Sequence, residues 1–248
     1  MTRQRKESSL SLLPGDTTDD TLAQNAYVAV LPIGSFEQHG QFLPLATDTL
    51  IASAIAHEIA QAYPVLRLPP LTVSCSHEHE SWPGTVSISA ATLYAVVRDI
   101  SQSLHRRGID RLVLLNAHGG NYVLRNIVQE SAPGPVRMAL FPGPVDWDTA
   151  RSISGVKTSA HSDMHAGEVE TSILLHAFPE TVRPGYENAD HIEDDRKHLL
   201  TLGMAAYSAS GVIGRPSLAS AAKGREMLAA LVESFGEYMT LLANEEDR

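Results

Sequence analysis

The chain has 248 residues, 43% apolar and 19% charged, proportions that suit one sizeable globular domain with a buried core. A formal net charge of −10 argues against a nucleic-acid partner, because that affinity rests on Lys and Arg displacing condensed counterions. The single cysteine, Cys75, rules out an internal disulfide, and no apolar run approaches the ~18 residues that span a bilayer, so no membrane partner is expected and the chain reads as cytoplasmic.

Residues 1–24 are polar without sustained periodicity and read as a loosely ordered lead-in, followed by one folded domain over residues 25–243. The basic stretch Met1 to Lys6 runs into Ser- and Asp-containing sequence rather than an apolar segment, so no secretory leader is expected. Ala26 to Ile33 is a near-continuous, Val-rich apolar run, the pattern of a strand buried on both faces of a parallel sheet. Ile51, Ile55 and Ile59 then recur at helical spacing as far as Ala62. A second strand is expected over Val65 to Val73, interrupted by Pro69 and Pro70, and a short one over Thr85 to Ser89 after a Trp-Pro-Gly turn. A helix from Ala91 to Arg107 stops at Gly108, and Arg111 to Leu115 makes the next strand. A helix over Tyr122 to Ser131, a strand over Val136 to Phe141, a helix over Gly167 to Phe178 and a long helix after Pro216 complete the outline. The polar stretch Glu187 to His198 reads as surface. Such alternation predicts an α/β fold, a mainly parallel sheet flanked by helices on both faces, with ligands bound where loops leave the carboxyl ends of the strands.

Three clusters fall in those loops. Beyond the first strand, Glu37 and His39 stand two apart, so in extended backbone their side chains point the same way, and Asp48 opens the next helix. Singly, Asp48 is a helix cap, Glu37 a solvated loop acid and His39 a turn residue. Together they form the mixed nitrogen and oxygen set that Zn, Mn or Fe favours. Asn116-Ala117-His118-Gly119-Gly120-Asn121 follows the Arg111 to Leu115 strand, with His118 either projecting into a site or capping the following helix. The third cluster, Asp163 to Ser172, opens a helix whose apolar face is Val169, Ile173 and Ala177. Glu168 lies about 100° from that face, near enough to the helix start to meet a site or merely to complement the dipole, whereas Glu170 points elsewhere. His77 and His79 offer an alternative ligand pair, Trp147 a pocket wall, and Cys75 has no activating context.

With these residues the chain resembles the creatininase family of metal-dependent amidohydrolases. The resemblance rests on Pro32-Ile33-Gly34-Ser35-Phe36-Glu37-Gln38-His39-Gly40 with Leu43-Pro44 and Asp48, on Glu78-His79 with Pro83-Gly84-Thr85, on Asn116 to Asn121, and on His165-Ala166-Gly167-Glu168. It implies two divalent metal ions per chain: Glu37, Asp48 and His118 on one, and His39, a bridging Asp48 and a further glutamate on the other. In creatininases that glutamate lies two residues after the histidine equivalent to His118, where this chain has Gly120, so Glu168 is the expected replacement. The resemblance further implies His165 as the group moving a proton, His79 close to the pocket, and a homo-oligomer, hexameric in form. Paired cations lower the pKa of a water and polarise a carbonyl, so the expected reaction is hydrolysis of a carbon–nitrogen bond in a small-molecule amide. Three chemistries compete within the family: creatinine ring opening, deformylation of a formamidopyrimidine nucleotide, and trimming of a modified peptide in mycofactocin maturation. Gly120 moves the expectation away from creatinine. A metal-binding protein without catalysis is the non-enzyme alternative.

Overall fold

The structure is a computed structural model that describes residues 12–243. Four parallel strands form one sheet in the order β2-β1-β3-β4, where β1 is Val28–Ile33, β2 Val65–Arg67, β3 Arg111–Asn116 and β4 Arg137–Phe141. In β1, Ala29 pairs with Leu112 and Ile33 with Asn116, so the two central strands end level and their following loops leave the sheet side by side.

The strands carry apolar residues at every position because both faces are covered. Val28, Val30, Val113, Leu115 and Phe141 face one core, shared with helices α2 (Thr47–Ala62), α5 (Pro144–Ile153), α6 (Glu168–Ala177) and α8 (Ala221–Leu242). Ala29, Leu31, Ile33, Leu112 and Leu114 face the other, beneath α3 (Ala90–His105) and α4 (Val123–Ser131). A short α7 (Leu199–Leu202) and a two-turn α1 (Thr18–Gln24) lie outside these layers. The α/β architecture with helices on both faces is therefore the one expected.

The differences from expectation are local. Within the lead-in, residues 18–24 are helical because Thr17 and Asp20 form a reciprocal capping box, while residues 1–11 lie outside the described residues. The strand expected over residues 65–73 stops at Arg67, before Pro69 and Pro70, and continues only as an isolated bridge from Leu71 to Ile33. Thr85 to Ser89 holds no strand beyond a bridge from Val86 to Phe36. Helix α5 was not expected: Pro144 occupies its first turn and only Asp146 and Ala150 are buried, so it lacks a periodic apolar stripe.

Candidate metal centre

The loops after β1 and β3 meet the first turn of α2 in a buried cluster. Glu37, His39 and Asp48 are almost wholly inaccessible, and His79, His118 and His165 are buried beside them. His39 Nε2 lies 3.1 Å from Asp48 Oδ1, and His118 Nδ1 lies 3.1 Å from Asp48 Oδ2 and 3.3 Å from Glu37 Oε1. Asp48 is not a helix cap: α2 begins at Thr47 after an N-cap, Ala46, that has no side-chain cap, and the Asp48 carboxylate turns inward, where Ser35 Oγ donates to it at 2.6 Å. The β3 loop holds His118 by a chain of short bonds in which Asn121 Nδ2 donates to Asn116 Oδ1 and Asn116 Nδ2 donates to the His118 carbonyl.

His165 arrives from the opposite side on a segment that bridges to Ile213, with backbone bonds in both directions. Its ring lies between His39, 4.2 Å away between centroids, and His79, 4.4 Å away, tilted by 35° and 38° to them. His165 Nδ1 faces Glu37 Oε1 at 3.8 Å. The next residue, Ala166, sits in the left-handed region at φ 50, and its N–H donates to Glu170 Oε2 at 2.5 Å. Glu170 Oε1 thereby lies 4.0 Å from His39 Nε2.

The glutamate expected at the centre is therefore not the one found there. Glu168 is directed away, into a nest of donors: the Lys157 and Thr158 amides, Thr158 Oγ1 at 2.7 Å and Lys223 Nζ at 2.5 Å. Glu170, read from the helical wheel as pointing elsewhere, takes its place. The wheel misleads because α6 buries Glu168, Val169, Thr171, Ser172, Ile173 and Leu174, leaving no single apolar stripe to orient it.

Electrostatics show how strongly the pocket seeks positive charge. Burial opposes a charged His39, but Asp48 outweighs it and raises the ring to about 9. Burial likewise opposes charge on His118, and Glu37 with Asp48 outweighs it, raising that ring well above its ordinary value. Burial would raise Asp48, yet His39 and His118 hold it well below the carboxylate range. Glu170 is pushed up to about 8 by burial, and burial brings His79 down to about 4.

The residues fit a cation on two counts. Ligand atoms of Glu37, His39 and Asp48 lie within 4.8 Å of one another, as do those of His39, His165 and Glu170. Both carboxylate oxygens of Glu37 are buried without a hydrogen-bond partner, a state that proteins almost never leave uncompensated. A cavity of about 610 Å³ reaches this centre past His118 and Glu170, with Ile51, Leu140 and Trp147 in its apolar wall and Arg125 beside Tyr122. Trp147 thus lines the cavity, whereas His79 touches Glu37 itself, at 3.3 Å.

A family profile described as creatinine amidohydrolase matches residues 17–239. The mycofactocin precursor peptide peptidase of Mycobacterium ulcerans is 37% identical over 231 residues, covering 88% of this chain and 87% of that one. The creatinine amidohydrolase of Pseudomonas putida is 26% identical over 258 residues, 92% of this chain and 96% of that one. Among solved structures, one described as a manganese creatininase superposes with a TM-score of 0.77 at 23% identity, covering 93% of this chain and 98% of that one.

Proposed function

Because the chain belongs to the creatininase family and is a hydrolase of carbon–nitrogen bonds, we propose that it is a two-metal amidohydrolase whose centre is Glu37, Asp48 and His118 for one ion and His39, Asp48 and Glu170 for the other. The observation that carries this reading is Glu37, whose unpartnered oxygens lie among imidazoles turned towards them. Divalent Zn, Mn or Fe held there would supply Lewis acidity and an acidified water. Asp48 reaches both sites at once, since its two oxygens face His39 and His118 separately. His165 handles the proton: its Nε2 donates to the Gln38 carbonyl at 2.6 Å, which leaves Nδ1 free to take a proton from the attacking water and return it to the departing nitrogen. Ala166 N–H and the left-handed turn hold Glu170 towards His39.

Among amide substrates a peptide is favoured. A Cβ at Gly120 would lie 2.2 Å from Glu78 Oε1 and 2.5 Å from His118 Nε2, so a glutamate at this position is incompatible with Glu78 where it stands. This supports a departure from creatinine towards the substrate class named for the Mycobacterium ulcerans relative, trimming of a precursor peptide. We also propose a cytoplasmic homo-oligomer, with the hexamer that the family resemblance implies, to be read by light scattering. Mass-spectrometric metal analysis of the untagged protein tests the centre: about two transition-metal ions per chain are expected, with fewer in Glu170→Ala. Metal-free protein after incubation with Zn and Mn would overturn it, and creatinine turnover without peptide turnover would overturn the substrate.

A further inference from the structure

The cavity that leads to the centre is larger than one small ring needs. Its volume of about 610 Å³ suits a drug-sized molecule, for which sites run to roughly 300–1,000 Å³, so a substrate that fills it brings several groups besides the amide to be cleaved. The charges in its wall therefore bear on which substrates enter.

Besides His118, five ionisable side chains line it: Arg125, Asp148, Arg151, Asp163 and Glu170. Three of them are already engaged. Arg151 Nη1 pairs with Asp163 at 3.2 Å and its Nη2 donates to the Thr158 carbonyl at 2.6 Å, while Asp163 also accepts from the Glu168 and Val169 amides. Glu170 accepts from Ala166 N–H and faces His39. Arg125 and Asp148 differ, since among the described residues neither side chain has an ion pair or a hydrogen bond.

Arg125 is also ill suited to the helix that carries it. It stands in the first turn of α4, where the N-cap, Tyr122, gives no side-chain bond and no acid is present. A helix start is partly positive, so a carboxylate is favoured there and a guanidinium is not. A shortage of acids is not the cause, because the chain has 29 of them against 19 Lys and Arg. The segment leading into α4 adds further donors: the backbone N–H groups of Gly119 and Asn121, which also line the cavity, meet no acceptor among the described residues. Glu78 approaches the same loop but faces His118 Nε2, 3.7 Å away, and does not line the cavity. A residue that breaks a local rule without a structural gain points to function.

We propose that Arg125 determines specificity in this cavity: its guanidinium holds a carboxylate of the peptide substrate, away from the bond being cleaved. The proposal rests on the peptide reading above. Arg125 follows His118 on the segment that forms one wall, so a substrate whose amide reaches the centre past His118 can lay an acidic group along that wall. The guanidinium offers two parallel N–H donors matched to the two carboxylate oxygens, which an ammonium cannot copy. Asp148, the other unengaged charge, repels an anion and leaves the α4 side to it.

A proteome-derived peptide library, digested with the zinc-loaded protein and read by mass spectrometry, tests this role. A side-chain carboxylate would appear as Asp or Glu enriched at one fixed position from the cleaved bond. A terminal carboxylate would instead fix the distance of the cut from the C-terminus, and amidating the peptides would abolish cleavage. Arg125→Gln should erase the preference, Arg125→Lys should keep part of it, and Arg125→Glu should replace it with one for Lys and Arg. For the best acidic peptide against its uncharged counterpart, the ratio of kcat/KM should fall about 10-fold in Arg125→Gln, through KM, the value of one hydrogen bond between charged groups. Peptides cleaved without a carboxylate preference, or a preference unchanged in Arg125→Gln, would overturn this role and leave the peptide reading intact. Zinc-loaded protein that cleaves no peptide would overturn both.

Discussion

Two buried glutamates, Glu37 and Glu168, have opposite surroundings. Glu168 is enclosed by the Lys157 and Thr158 amides, the Thr158 hydroxyl and the Lys223 ammonium, so its charge is fully met by the protein. Glu37 has no hydrogen-bond partner for either oxygen and instead faces three imidazole nitrogens at 3.3–3.8 Å. A satisfied buried carboxylate is architecture, whereas an unsatisfied one beside a second carboxylate and several imidazoles could hold a cation. Placement in the fold separates the two, since Glu168 joins α6 to α8 through Lys223 and Glu37 sits where β1 leaves the sheet.

The sharpest way to break that contrast is to remove a ligand from one region and a clamp from the other. Asp48→Asn should weaken metal binding by more than ~100-fold, beyond the effect of altering groups that merely support a ligand. Equilibrium dialysis against zinc reads it, and an unchanged affinity would return Asp48 to a purely structural role. Glu168→Gln should instead keep its metal content and lose about 2–3 kcal/mol in urea unfolding, since Lys223 is left without its anion in a largely buried site. Loss of metal from this folded variant would erase the distinction.

Acid sharpens the same contrast. Burial would raise Glu168, but Lys223 and the Thr158 hydroxyl outweigh it and hold the carboxyl below its ordinary range. A depressed carboxylate contributes stability in full above its unfolded pKa, about 4.3, and loses it as pH falls through the folded value. The gap in unfolding free energy between wild type and Glu168→Gln should therefore be widest near neutrality and close below about pH 4. A gap that widens in acid would contradict the pairing. The smallest effect is expected at Ala166→Gly. Relief of a left-handed alanine, worth ~1 kcal/mol, is offset by the flexibility of glycine, so stability should shift by less than about 1 kcal/mol. Metal content should hold, because the Ala166 backbone N–H rather than its methyl anchors Glu170.

Much of the fold was legible because a buried parallel strand has a plain signature. β1 and β3 read as unbroken apolar runs, α2 carries helical spacing, and α3 ends before Gly108. Helix α5 escaped because its buried residues are an acid and an alanine, Asp146 and Ala150, while Val145 and Ile153 are exposed, so no apolar stripe announces it. The first two clusters were legible as candidate ligands through composition and position at strand exits: Glu37, His39, Asp48 and His118 do converge.

What the sequence determined by itself was thus which residues of the first two clusters gather and the edge of the sheet that bears them, since both depend on neighbours close in the chain. Which glutamate of α6 turns inward was decided only by tertiary structure. A left-handed residue and the amide it presents rotate Glu170 towards His39, while Lys223, 55 positions away in the chain, claims Glu168. The partners of the histidine rings were decided there too. The far nitrogens of His39, His118 and His165 meet backbone carbonyls and that of His79 meets the Gln38 amide, which also donates to the Gly211 carbonyl 173 positions away. Such long-range hydrogen bonds leave no local periodicity in a sequence, because their partners become neighbours only when the chain has packed.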